Sequence, residues 1–273
     1  MMVNEKASAI SGAHVEVERL DWDGMLVRVP EVKVAGEDLI QSGDAKGIET
    51  ELRLGRLLRR EVSMEPVTIR EAHLELDVTR PAPSLKDSSM DFDFPGLRIE
   101  DFSGGLAFGS PELTWRGVRG GIEAGHTPGS YECVFSGGSL ATPIAMFPEG
   151  RLEKLEARYF DGNLFVTDSR FTVYQSGWLT LVGEVEFSRG RYSLDGRLGD
   201  VYGREMVPEN WKKRLEGTMQ SEFQVRGRGR EIPVIKGELE MLDGVLTGLP
   251  VLDRIAAYTD TLRFRRLVLS EAE

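Results

Sequence analysis

The chain has 273 residues, with 34 Lys and Arg against 45 Asp and Glu, and a formal net charge of −11. Hydrophobic residues make up 40%, too many for a chain that stays disordered. The acidic balance also excludes the broad basic face that nucleic-acid binding demands. A single cysteine, Cys133, rules out an internal disulfide framework and any cysteine-based zinc site, and no run approaches the ~20 apolar residues of a membrane-spanning helix.

In chain order, the first part, through about residue 80, alternates apolar and polar residues in strand-like runs. Leu54 to Arg60 (LGRLLRR) is a short helical or turn segment between two of them. Pro81 to Pro95 carries three prolines and mixed charge and reads as a long loop. A second irregular stretch is expected from Gly120 to Gly138. From about residue 150 the alternation is strongest. Phe165, Phe171 and Val173 share one parity, as do Leu179, Leu181, Val185 and Phe187, with Gly183 on the same line. Tyr192, Leu194 and Leu198 follow, then Met219, Phe223 and Val225, then Leu239 and Met241. Residues of equal parity project from one face of a strand, so each segment has an apolar and a polar side.

Asp-Gly recurs at Asp23-Gly24, Asp161-Gly162, Asp195-Gly196 and Asp243-Gly244, a dipeptide that tolerates the positive φ of tight hairpin turns. Glycines inside strand patterns, such as Gly183, predict bends or bulges that curve a sheet. Helical signals are few: Trp211 to Leu215, and a helix from Pro250 through Val251, Leu252, Ile255, Ala256 and Thr259. The expected fold is mostly β: a curved, largely antiparallel sheet forming an open groove, with a few short helices. The chain divides into residues 1–80, a connecting region 81–149, and a C-terminal β unit 150–273.

Catalytic and metal signatures are weak. There is no Gly-rich phosphate loop, no G-x-S-x-G elbow and no H-E-x-x-H. Asp21/Asp23 and Asp91/Asp93 are the nearest thing to metal ligands, but counting twelve from Asp21 reaches Val32, not the Glu a calcium loop needs. His14, His73 and His126 have no common ligand spacing. Arg226 to Arg230 reads as a glycine hairpin kept soluble by charge, with a phosphate or headgroup role as the alternative. Cys133 has no His nearby and reads as an inert thiol. Arg263 to Arg266 reads as a sheet edge. The protein is read as non-enzymatic, with no metal and no cofactor.

From Gly237 onward, Gly237, Leu239, Asp243-Gly244, Leu246, Gly248-Leu249, Leu252, Phe264, Leu267 and Leu269 follow a particular order. It runs strand, Gly turn, strand, short helix, aromatic-plus-basic step, strand. This resembles the C-terminal repeat of AsmA-like proteins of the Gram-negative envelope, and Glu49 to Val78 is similar to that family's N-terminal unit. The resemblance implies a repeating β-groove with an apolar floor that conducts lipid acyl chains between inner and outer membranes, a periplasmic location, and an inner-membrane anchor. Because that anchor and the further C-terminal strands are not in this sequence, the resemblance implies an excised or partial chain.

The floor expected from the alternation comprises Phe165, Phe171, Val173, Leu179, Leu181, Val185, Phe187, Phe223, Val225, Leu239 and Met241. The competing arrangement is a sandwich in which such faces seal against one another. The expected partners are phospholipid acyl chains and an outer-membrane or other envelope protein, with nucleic acid excluded. The alternative functions are an envelope assembly scaffold that binds a partner by strand addition and, more remotely, a carbohydrate-active β-sandwich.

Overall fold

The structure is a computed structural model that describes residues 13–52, 65–80, 96–107, 112–143, 149–228, 231, 233–247 and, for the backbone alone, 266–269. The helix expected at Pro250, the turn at Leu54–Arg60, the loop at Pro81–Pro95 and the pair Asp91/Asp93 lie outside these residues.

Among the described residues, sixteen strands make one sheet. In chain order they are β1 (His14–Val17), β2 (Asp21–Asp23), β3 (Leu26–Ala35), β4 (Ile40–Glu51), β5 (Val67–Asp77), β6 (Leu97–Ala107), β7 (Glu112–Ala124) and β8 (Ser130–Ser136). Then come β9 (Ser139–Ala141), β10 (Glu149–Phe160), β11 (Asn163–Val173), β12 (Gly177–Glu186), β13 (Arg191–Tyr202), β14 (Leu215–Arg228), β15 (Val234–Thr247) and β16 (Arg266–Leu269). Between β13 and β14 sit two single-turn helices, α1 (Gly203–Met206) and α2 (Glu209–Lys212). The second of these covers Trp211, where a helical turn was expected, but Leu215 already begins β14.

Spatial order follows chain order, except that β2 lies beside β3 and that β9 bridges β7 and β10. Every pairing is antiparallel apart from β5 with β6, which run parallel. The sheet is continuous across residues 80 and 149, so strands of all three sequence segments belong to it. The stretch Gly120 to Gly138 is not irregular as expected: it supplies the end of β7 and all of β8. Its glycines sit opposite bulky partners, as Gly120 does opposite Phe135, and they hide a strand pattern that is otherwise plain.

The alternation is interrupted at one place in nearly every strand. Ile99 pairs with Gly120, and Phe102 with Val118. Val118 and Gly120 are two apart and share a face, so Ile99 and Phe102, three apart, must share it too. Residues Glu100 and Asp101 therefore form a bulge. The ladders from β6 back to β3 carry this offset unchanged, as Ile69 with Ala72, Ile48 with Ala45 and Val29 with Val32. The offset is centred near Pro30 and Gly47.

On the other side the line continues through Gly117, whose φ is +68°, and the Gly137-Gly138 break between β8 and β9. Next are Glu153–Lys154 in β10 and Thr167–Asp168 in β11. It ends at Asp200, Gly217 and Asp243, all with positive φ, beside register shifts in β13 to β15. β12 alone crosses with regular pairing to β13. Each bulge bends its strand and adds twist, so bulges aligned on neighbouring strands crease the sheet along its long axis. Rings two strands apart converge on the same side of it. Phe102 of β6 lies 6.0 Å from Phe135 of β8, and Tyr159 of β10 lies 6.4 Å from Phe187 beyond β12. Flat neighbours two strands apart are about 9.6 Å distant; the convergence marks this as the concave side.

Of the four Asp-Gly pairs, two turn the chain. Asp161-Gly162, both with positive φ, joins β10 to β11, and Gly24 helps join β2 to β3. The other two lie inside strands: Asp195-Gly196 in β13, and Asp243-Gly244 on the bulge line of β15. At Gly196 the reason is space. A Cβ there would lie 2.4 Å from Cζ of Phe223, whose ring rests on the glycine.

Candidate functional site

The concave face of the sheet is apolar along almost its whole length. Cross-strand partners share a face, so the registers trace its floor from strand to strand. Leu152 pairs with Phe171, Phe171 with Leu179, and Leu179 with Leu198; Val201 pairs with Met219, and Met219 with Met241. A second row links Cys133, Ala157, Val166, Gly183, Leu194 and Val225. The best-buried members are Val118, Leu152, Phe171, Val173, Leu198, Val201 and Met219, flanked by half-buried Phe102, Trp115, Phe135, Leu155, Leu181 and Phe223. At about 4.8 Å between strands, the thirteen strands of the path from β1 to β15 carry this floor over about 60 Å.

Ten of the eleven residues expected to share a face do so. Phe171 and Val173 are buried, Leu179, Leu181, Val185, Phe187, Phe223, Val225 and Met241 are half-buried, and Leu239 is 45% exposed. Phe165 is the correction. The bulge at Thr167–Asp168 shifts the parity, so Val166 shares the floor with Ser169 and Phe171 while Phe165 points to the convex face. There it pairs with Arg158 and Glu184, and the Arg158 guanidinium lies 5.7 Å from its ring centre. Phe165→Ala is therefore expected to cost about 1 kcal/mol, the scale of an exposed cation–π contact. Phe171→Ala should cost about 3–5 kcal/mol. Urea unfolding of the two variants measures the difference, and equal losses would contradict the assignment of faces.

Ser169 stands where the β11–β12 ladder opens. Between the pairs Val166–Gly183 and Phe171–Leu179 no regular pairing exists. The fully buried Ser169 hydroxyl fills the gap, donating to the Leu181 carbonyl at 2.6 Å and accepting from the Leu181 N–H at 2.8 Å. One side chain thus satisfies both backbone groups that the bulge leaves open. Gly183, on the same face, has φ +146°, and a Cβ there would meet the Ser193 carbonyl oxygen at 2.1 Å. The glycine is required by this close approach, while its pairing with Leu194 of β13 stays regular.

The floor is flanked by a short helix beside β13 and β14. Met206 of α1 packs against the buried cluster, and Glu205 accepts a long hydrogen bond from the Gln175 N–H at 3.3 Å. Toward both edges the floor opens: Trp22, paired with Val27, is 62% exposed, and Ile235 is 60% exposed. Among the described residues no second sheet lies over it, since every strand belongs to the one sheet.

The convex face is charged. Lys154 bridges Asp168 and Glu156, Arg170 pairs with Glu153, and Arg197 with Glu222. These pairs are exposed and contribute little stability each; their effect is to keep this face wet.

The other candidates are accounted for locally. Cys133 is a buried free thiol on the floor, and burial pushes its pKa up, away from the reactive thiolate. Asp21 is paired with Arg19 at 2.8 Å. His14 contacts Glu16, and His73 lies between Ser103 and Glu75. Among the described residues no three His, Cys, Asp or Glu side chains come together as a metal site, and no helix is long and apolar enough to cross a membrane. A shallow depression on the first strands is lined by His14, Glu16, Glu31, Lys33, Asp44 and Lys46, whose charges are paired locally.

Sequence reading missed Phe102, Trp115 and Phe135, a tilted aromatic group whose first pair stands 5.4 Å apart. Their signal was present as glycine opposite aromatic. Trp115 pairs with Gly104, and a Cβ on that glycine would meet the indole at 2.7 Å. No family model, curated protein or solved structure matches this chain.

Proposed function

We propose that this protein shelters lipid acyl chains along its concave apolar face, as a non-enzymatic segment of a lipid conduit in a bacterial cell envelope. The observation that carries the reading is a floor of apolar side chains about 60 Å long on a single-layer sheet, with seven of its expected members only half-buried and Leu239 exposed. A sandwich core of this size would seal all of them. Hydrocarbon laid along such a floor gains about 0.8 kcal/mol per buried CH₂, so a chain can be held with no headgroup contact and can slide. The charged convex side faces water, and the acidic net charge disfavours non-specific adhesion to anionic membrane surfaces. The resemblance to AsmA-like proteins points the same way and supplies the envelope setting and the membrane anchor of this proposal.

Organic extraction of the purified protein followed by mass spectrometry tests the reading. Phospholipid or fatty acid is expected at a stoichiometric level. A delipidated preparation that neither carries lipid nor takes up a fluorescent fatty acid from solution would refute it.

A further inference from the structure

The two ends of the sheet differ. Near β1, Ala13, Val15 and Val17 all have interaction partners. At the other end β16 pairs only with Gly244–Thr247 of β15. That leaves Val234 to Asp243 paired on the β14 side and, among the described residues, open on the other. This open edge is also apolar: Val234 is 56% exposed, Ile235 60% and Leu239 45%. A long free edge with exposed apolar residues is a template for strand addition.

The charges along the edge specify what would fit. On the convex side run Lys236, Glu238 and Glu240; on the concave side run Ile235, Gly237, Leu239 and Met241. An antiparallel second copy of the same strand can pair only in registers that keep the apolar sides together, because a one-residue slip exchanges the faces. Centring the two-fold axis on Gly237 sets Lys236 opposite Glu238 twice and Ile235 opposite Leu239 twice. Moving the centre to Glu238 keeps two Lys–Glu pairs, Lys236 with Glu240, but sets the two Glu238 carboxylates against each other at the axis, and moving it to Lys236 opposes two lysines. Within the chain Glu238 faces Glu222 of β14, whose carboxylate is held by Arg197, and a lysine arriving from the open side supplies Glu238 with an opposite charge of its own. Pro233, which has no N–H to donate, ends the pairing opposite Met241.

We propose that the β15 edge is a homodimer interface, in which two copies pair antiparallel through Val234–Glu240 about a two-fold axis at Gly237. The apolar faces of the two sheets then run on into one another. This inference stands on the edge and its charges and does not depend on lipid binding.

Sedimentation velocity of the full chain over a range of concentrations tests it, with three proteins. The wild type is expected to dimerise reversibly. Lys236→Glu places like charges opposite one another at two symmetry-related positions and should weaken the dimer about tenfold or more. The swap Lys236→Glu with Glu238→Lys restores both pairs and should restore the dimer. Both positions are exposed, and circular dichroism checks that each variant keeps its β content. A wild-type chain that stays monomeric at its highest soluble concentration overturns the proposal. So does a dimer that Lys236→Glu leaves unchanged, because the interface then lies elsewhere, or one that the swap fails to restore, because the register is then wrong.

Discussion

Replacing Ser169 by alanine is expected to lower the unfolding free energy by about 2–4 kcal/mol, although the change removes a single oxygen. The hydroxyl is fully buried and is the partner of both the N–H and the carbonyl of Leu181. Alanine leaves both groups unsatisfied, and each buried unsatisfied group costs about 1–3 kcal/mol. No ladder bond can replace the hydroxyl, because the strands are splayed at the bulge. For a chain of this size each kcal/mol shifts the melting temperature by about 2–4 °C, so a fall of about 5–15 °C is expected. Urea unfolding should give a lower midpoint with an unchanged slope. A loss below about 0.5 kcal/mol, the scale of an ordinary surface change, would mean that water reaches Leu181 and the bulge needs no plug.

Leu181→Glu is expected to abolish lipid retention while leaving the sheet folded. Leu181 is half-buried on the concave face, opposite Gly196, with the Phe223 ring over that glycine on one side and open floor above. On an open floor a carboxylate at this position keeps part of its hydration and so avoids most of the cost of burying an unpaired charge. Acyl chain passing over it would have to dehydrate it, which makes the site a barrier to hydrocarbon. In a sealed core the same group would cost several kcal/mol of a total near 5–15 kcal/mol, and the protein would unfold. Val182→Lys, one residue along on the exposed convex face and opposite Asp195, is the charged control and should alter neither property. Melting temperature and extracted lipid, measured on both variants, separate the cases. Global unfolding of the Leu181 variant would indicate a closed core, and unchanged lipid would remove this residue from any path.

Strand content and the sidedness of the C-terminal half were legible because a strand exposes its environment every second residue. Ten floor residues could be read in this way. The reading failed at Phe165, where a bulge inserts one residue and the parity of everything beyond it is exchanged. Nothing in Val166-Thr167-Asp168-Ser169 marks that insertion, since its cause is the fit to β10 and β12. In β3 the same effect hides the pattern: Val27 and Val29 have one parity and Val32 and Val34 the other, and without the bulge near Pro30 they do not look like one face. Asp-Gly misled for a different reason. The dipeptide signals tolerance of positive φ, but Gly196 is small because a phenyl ring lies over it. The parallel step from β5 to β6 was equally hidden, because its direction is set by where the intervening chain returns, and composition does not encode that.

Because nearly every strand hydrogen-bonds to the one before it and the one after it in sequence, the molecule is close to a one-dimensional lattice. Its strands pair with neighbours in the chain, by antiparallel ladders everywhere except at the parallel β5–β6 step. In such a lattice stability is a sum over adjacent units, so order can begin at any hairpin and spread, and the terminal strands are the first to fray. Evolution can therefore change the span of the sheet by duplicating or deleting a pair of strands, with no redesign of the remainder. Length is a freely adjustable property of this architecture, whereas in a closed barrel the strand number fixes the diameter and cannot vary alone.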